Sequence, residues 1–547
     1  MRFDEGKRAK RERECEMDEI RIQHQMRENR RLFEAGIRHL AEIQDGEEGL
    51  DFAWQMMHFA QDSGCGYFAS SAIERRLCDF AEQLEPPKKS ECRPDSVLMV
   101  MTEACRIGGH TRVVERWIEQ DPSRCYSLVL TDQSDVDDIP ERLKNAVSRS
   151  GGKMLLLDTR ESRMSRAQKL RDFAVAFERI VLHIHMYDTI AFAAFGSVDF
   201  PRPVGFFNHA DHVPWIGVSI ADCVAEFREW GLKLSRECRG VTKSLKVGIP
   251  GDEEQRTSKI VGVEESRDDV RKRLGVPVDA SLVLSCGRQT KYRSVAGQDF
   301  ADVIRGILSA DRDAFVVVIG PRLEDIPGWS DVAKSFGGRL KAVGPVPFEL
   351  LSAYYKASDL VIDSYPLGGA TALADALAAG CPVLSVPGPF GQDDWVYEIN
   401  GLCQSLDEMV QKAMMLLKDK RLANEFVKHD QKVYREAHAP NLFRENLTRF
   451  FSCLNASHDV RQFSESVGLR PELERALFEA GQSEEILFRI PKILSFARCR
   501  TSSSHTRVLT LLGHDIVIYR RWMPFVKALR AVRVSLSVDD VKEGDLT

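Results

Sequence analysis

The run Gly368-Gly369-Ala370-Thr371, followed by Asp375, gathers the residue types that hold a phosphate and a ribose. Paired glycines turn sharply and let bare backbone approach a ligand. A helix opening at such a turn offers amide N–H groups without intrahelical partners and the positive end of its dipole, so an anion is attracted with no lysine needed. The expected donors are the amides from Gly369 to Ala372. Thr371 adds a hydroxyl, and Asp375, one helical turn along the same face, offers a carboxylate to a ribose diol. Many doubly wound domains carry a strand-glycine-helix turn that binds nothing, so the rest of the chain has to decide.

A second glycine turn, Gly108-Gly109-His110-Thr111-Arg112, also follows an apolar run and opens an amphipathic helix. His110 is placed there to move a proton or to donate to phosphate, against the plainer role of a helix cap; Arg112 fits a surface charge equally well. His183 and His185 alternate on one strand and are expected on the same side of it, with Asp188 just beyond. The loop Asn208-His209-Ala210-Asp211-His212 follows the next strand. These groups allow a catalytic cluster, structural histidines packed with Trp215, or a metal site. The metal reading is a hydrolase whose bound water is the nucleophile and whose ligands come from His183, His185, His209 or His212, and Asp211. The phosphate turn has no purpose in such an enzyme.

Elements to position these residues are legible along the chain. Residues 1 to about 90 show apolar residues at helical spacing after a charged opening, and Glu85-Pro86-Pro87 breaks that pattern. A βα series follows, with buried strands expected at Ser96–Met101, Ser127–Leu130, Lys153–Leu157, Ile180–His185 and Pro203–Phe207. A second series runs through Ser281–Ser285, Phe315–Gly320, Leu340–Gly344, Leu360–Asp363 and Pro382–Val386. The class is α/β: two facing Rossmann-like domains, at 94–250 and 251–437, with a helical extension at 1–90 and a mostly helical one at 438–547. No repeat at solenoid period is present.

Composition narrows the class of function. The chain has 547 residues, 43% hydrophobic and 29% charged, enough for two ordinary domains plus extensions. A net charge of -6 argues against a nucleic-acid partner held by a general basic field. No stretch reaches the roughly 20 apolar residues of a membrane span, and the charged opening lacks the apolar core of a secretory signal. A cytoplasmic location is expected, with peripheral membrane contact left open. Thirteen cysteines without a C-x-x-C pair read as reduced thiols.

The stretch from Asp359 and Asp363 through Gly369, Thr371 and Asp375 to Gly380-Cys-Pro382-Val and Pro387-Gly388 resembles the donor site of GT-B fold glycosyltransferases, most closely the O-linked N-acetylglucosamine transferase-like family. The resemblance implies that Thr371 touches the distal phosphate, Asp375 the ribose, and the loop carrying Gly109 and His110 the donor phosphates and sugar. It implies a basic side chain on the diphosphate from the loop after the first strand of the second domain, here Arg288 or Lys291, in place of a divalent cation. It implies base reading by backbone near Val346 and Pro347, although the family's lysine and histidine beside uracil are absent. This sequence also departs from the family in having Ala372 where a second hydroxyl is usual, and Asn208 to His212 where glycine, tyrosine and proline are usual.

The expectation is an inverting, metal-independent transfer of sugar from a nucleoside-diphosphate sugar, UDP-sugar favoured, to an acceptor hydroxyl, with no cofactor. The base comes from His110, His209, Asp211 and His212, with His110 and Asp211 preferred. The metal-dependent hydrolase and a GT-B nucleotide-sugar epimerase are the alternatives. Whether the acceptor is a glycan, a protein or a small molecule is open, as is the oligomeric state.

Overall fold

A computed structural model describes residues 22–24, 26–106, 109–251, 265–295, 297–454, 497–501, 506–511 and 514–519. The charged opening lies almost wholly outside them. Helices at 26–42, Gly46–Ser63 and Ser71–Ala81 come first. Asp45 and Ser70 cap the latter two through bonds from Glu48 N (2.9 Å) and Ile73 N (3.4 Å), which fixes where each starts. Their apolar faces carry Met56, Phe59, Leu77 and Phe80 into one core with Leu98, Val100, Ile180 and Leu182 of the first sheet. The N-terminal helices are therefore a layer of the first domain and not a detached appendage. Buried Glu74 ties this layer to the strand-exit side by accepting the amides of Gly217, Val218 and Ser219 at 2.7 to 3.1 Å.

The first sheet holds β1 (Arg93–Met101), β2 (Cys125–Leu130), β3 (Met154–Leu156), β4 (Phe177–His183), β5 (Val204–Asn208), β6 (Cys223–Glu226) and β7 (Ser244–Lys246). All are parallel, in the order β3-β2-β1-β4-β5-β6-β7. The second holds β8 (Leu282–Cys286), β9 (Phe315–Ile319), β10 (Leu340–Ala342), β11 (Leu360–Ile362) and β12 (Val383–Leu384), also parallel, in the order β10-β9-β8-β11-β12. Continuous apolar runs such as Val97 to Met101 are shut off from solvent on both faces, as a helix-covered parallel sheet requires. β6 and β7, of four and three residues, are additions to the expected strands.

Both sheets have a topological switch point. In the first it lies between β1 and β4, and in the second between β8 and β11. Ligands of open parallel sheets bind in the crevice at these points, beyond the carboxyl ends of the strands. The chemistry-bearing loops follow β1, β4, β5, β8 and β11.

The C-terminal extension differs from expectation. The Pro440–Cys453 helix returns to the first domain, where Phe443, Leu447, Phe450 and Phe451 are buried with Trp117 and Phe207. Gly205 of β5 makes room for it: a Cβ there would lie 2.4 Å from Phe450 Cζ. Each buried side chain contributes roughly 1.5–3 kcal/mol, so this helix is part of the first core. Further on, Ala497–Thr501, Thr506–Leu511 and His514–Tyr519 form three antiparallel strands (β13 to β15) within the extension expected to be mostly helical. No helix among the described residues is long and apolar enough to cross a membrane.

Candidate active site

The glycine turn after β11 is organised by Asp363, which is buried. One carboxylate oxygen accepts from the amides of Ser364 (2.9 Å) and Gly369 (2.7 Å). The other accepts from Ser385 Oγ (2.8 Å) and Gln392 Nε2 (2.9 Å). Burial pushes this carboxyl up, against the pull of Lys291 and these donors. Gly368 has no room for a side chain, since a Cβ would lie 2.0 Å from Gln392 Nε2. Lys291 Nζ donates to the Gly368 carbonyl at 2.6 Å, and burial lowers its own affinity for a proton.

One expectation changes here. The Gly369 amide is engaged by Asp363, so it is not a donor to a ligand. Leu373 N already bonds Gly369 O, which leaves Ala370, Thr371 and Ala372 heading the Ala370–Ala378 helix, where amides lack intrahelical partners. Arg288 is exposed at the exit of β8, close enough for its charge to act on His185 and Cys105 of the first domain. Val346 is half-buried and Pro347 exposed, immediately before the Phe348–Ala357 helix.

On the first domain, His110 lies in the first turn of the Gly109–Gln120 helix. Its ring stacks on that of His209, centroids 3.7 Å apart and planes 11° from parallel. His185 is 6.1 Å from His110 and 6.4 Å from His209. His110 Nε2 and His209 Nδ1 are closed to solvent and have no hydrogen-bond partner among the described residues. Desolvation, then repulsion between neighbouring imidazoles, holds both rings well below the ordinary histidine range. Repulsion between rings stacked this closely opposes both being imidazolium at once.

The remaining candidates separate. β4 ends at His183, which is fully buried edge-on to Trp117 and against Phe207, 5.0 Å from each; it is a core residue. His185 lies past the strand end, with Nδ1 3.0 Å from the Tyr187 hydroxyl. Asp188 caps the Thr189–Phe195 helix and accepts from Thr102 and Thr131. Asp211, preferred as a base from sequence, is corrected. Its buried carboxylate is held by both arms of the Arg228 guanidinium, at 2.6 and 2.6 Å. Burial alone would raise this carboxyl, yet Arg228 and His212 hold it at about 2. His212 is half-exposed, its ring 6.2 Å from Phe390 of the second domain. The metal-hydrolase set also dissolves, since His183 is packed in the core, Asp211 is gripped by Arg228, and no group of three or more His, Cys, Asp or Glu among the described residues is arranged to hold an ion.

The two halves meet. Gly109 faces Thr371, with 3.9 Å between an added Cβ and Thr371 Cγ2. One turn further along each helix, Arg112 Nη1 is 3.4 Å from Asp375 Oδ2. Arg112, open from sequence between site and surface, is thus a cross-cleft residue. The halves are also joined where Glu229 N donates to Asp394 and Lys246 pairs with it at 3.0 Å. Sequence reasoning gave no role to Gln392, Ser385 or Arg228, whose partners lie 17 to 29 positions away.

No family model matches the chain. Over 128 residues it is 30% identical to a Bacillus subtilis (strain 168) protein named for teichuronic acid biosynthesis, the glycosyltransferase TuaC; the match covers 23% of this chain and only 30% of that relative's length. Among solved structures it is similar to a glycosyltransferase from Rickettsia africae ESF-5, with a TM-score of 0.50 and 12% identity over 67% of this chain and 100% of that one. It is similar also to Anabaena Alr3699/HepE in complex with UDP and glucose, at TM-score 0.50 and 12% identity over 65% and 100%. At such identities the likeness is one of fold.

Proposed function

From the premise that this chain has the GT-B fold, we propose that it is a glycosyltransferase, moving a sugar from a nucleoside-diphosphate sugar to an acceptor hydroxyl. The observation that carries this reading is the facing of the two helix heads, one with Thr371 and three amides, the other with His110. The domain at 251–437 grips the donor, and that at 94–250 supplies the base and the acceptor surface. Uridine is the favoured base, read by backbone at Val346 and Pro347; the Anabaena structure is of a complex with UDP.

In the transfer, the acceptor oxygen bonds to the anomeric carbon as the bond from that carbon to the diphosphate oxygen breaks. The nucleoside diphosphate leaves with the bonding pair. Its charge falls on the Ala370 to Ala372 amides, Thr371 and Arg288, with Lys291 holding the turn from behind. This arrangement supports a departure without a divalent cation. The acceptor proton passes to His110, which its surroundings keep neutral and able to accept. A single displacement of this kind inverts the anomeric centre.

Thermal unfolding with uridine, guanosine, thymidine and adenosine diphosphates and their sugars, with and without EDTA, tests the reading. A ligand at about 100 times its Kd adds about 2.7 kcal/mol of stability. One diphosphate should raise Tm regardless of EDTA, and Thr371→Val or Asp375→Ala should diminish that rise. If none raises Tm, the donor site is refuted; a rise abolished by EDTA overturns metal independence.

A further inference from the structure

The Arg112–Asp375 contact joins the two domains at the place where a donor would bind. The residues sit on different helices, 263 positions apart in sequence, and their side chains are 12% and 14% exposed. The Arg112 Nη1–Asp375 Oδ2 approach, at 3.4 Å, is longer than the two 2.6 Å bonds of Arg228 with Asp211. Arg228–Asp211 has the form of a fixed brace. Arg112–Asp375 has the form of a contact made to be exchanged.

The surroundings supply the exchange partners. Asp375 is one turn beyond Thr371 and Arg112 one turn beyond Gly109, so both side chains stand over the gap between two helix heads. Both heads favour negative charge. A carboxylate beside a diphosphate is repelled by it unless hydroxyl donors or a cation satisfy it. A guanidinium matches the paired oxygens of a phosphate. About 5 Å, one helical turn, separates the level of the ion pair from that of the helix heads, within the sweep of an arginine side chain.

We propose that Arg112 is a donor-binding residue lent by the first domain: the ribose takes over Asp375, and the guanidinium turns to the diphosphate. This rests on the donor-site reading above. Closing of the cleft and binding of the donor are then linked through this exchanged ion pair, and the first domain contributes a cation to the leaving group as well as the base.

The test compares the diphosphate that binds best with its own nucleoside, by calorimetry on the full chain, for wild type, Arg112→Met and Arg112→Lys. Arg112→Met should weaken the diphosphate at least about tenfold, the loss of one charge-assisted hydrogen bond, and leave the nucleoside as tight or tighter. The salt dependence of diphosphate binding should become shallower. Arg112→Lys keeps charge but not the fork and should fall between; if the methionine variant does not fold, this variant decides. Diphosphate affinity equal to wild type in the variant that decides overturns the proposal, as does equal weakening of diphosphate and nucleoside. Should wild type bind no diphosphate, it is the donor-site reading that fails, and this inference with it.

Discussion

Asp211 and Asp363 are both buried aspartates at strand exits, on opposite sides of the cleft, and they brace their loops by opposite means. Asp363 takes two backbone amides and two neutral side chains, and burial outweighs these donors and the nearby charge of Lys291, so its carboxyl is pushed up. Asp211 takes a guanidinium, so the ion pair wins and its carboxyl is held at about 2. The first arrangement shapes a turn and leaves the next three amides without intrahelical partners, which suits binding. The second locks the His209 to His212 loop with His209 against His110, which suits chemistry. Changes on the Asp363 side should move affinity, and changes on the Asp211 side should move turnover or stability.

The largest effect expected on that division is from His110. His110→Ala should lower kcat roughly 10²–10⁴-fold, the usual worth of a positioned base, while the Kd of the diphosphate stays within error of wild type. Because desolvation and neighbouring imidazoles lower its pKa, the ring stays neutral through the ordinary histidine range, and wild-type turnover should fall only at pH well below 6.5. Equal losses in kcat and in diphosphate affinity would erase the division between the two sides.

Arg228→Met comes next. It leaves the Asp211 carboxylate buried without its guanidinium, a change that costs about 3–5 kcal/mol. Chemical denaturation should show the loss, accompanied by lower turnover as the loop slackens. An unchanged midpoint would mean that the ion pair does not hold the loop.

How much of this could be read from sequence depends on the distance over which each feature is decided. The ten expected strands rest on local apolar runs and are all present, and the loops after β1, β5, β8 and β11 carry His110, His209, Arg288 and Thr371 where the runs place them. β6 and β7 are too short to stand out by pattern. Within Asn208 to His212, nothing local tells which residue meets the cleft. Arg228, 17 residues on, turns Asp211 inward, and His209 is left to stack on His110. Strand alternation makes His183 and His185 equivalent, but β4 ends at His183, so the two part ways. The loss of the Gly369 amide to Asp363 and the reach of Arg112 to Asp375 are properties of the closed fold.

Glu226 sharpens the comparison with the smallest expected effect. It lies beneath the histidine loop, accepts from Asn208 Nδ2 at 2.9 Å, and faces Ser235, Arg239 and Asp211. Burial pushes its carboxyl from 4.5 to about 7, with Arg239, Asn208 and Ser235 opposing and Asp211 adding to the rise. A carboxyl raised in the folded state stabilises fully below its unfolded value, and that stability is lost as pH climbs through the folded one. The loss should approach about 3 kcal/mol by about pH 8.5. Glu226→Gln keeps the acceptor for Asn208 without the titration, so stability measured against pH should fall less steeply than in wild type between about pH 5 and 8, with Asp393, raised to about 6, left to titrate in both. The same slope in wild type and Glu226→Gln would place that titration elsewhere.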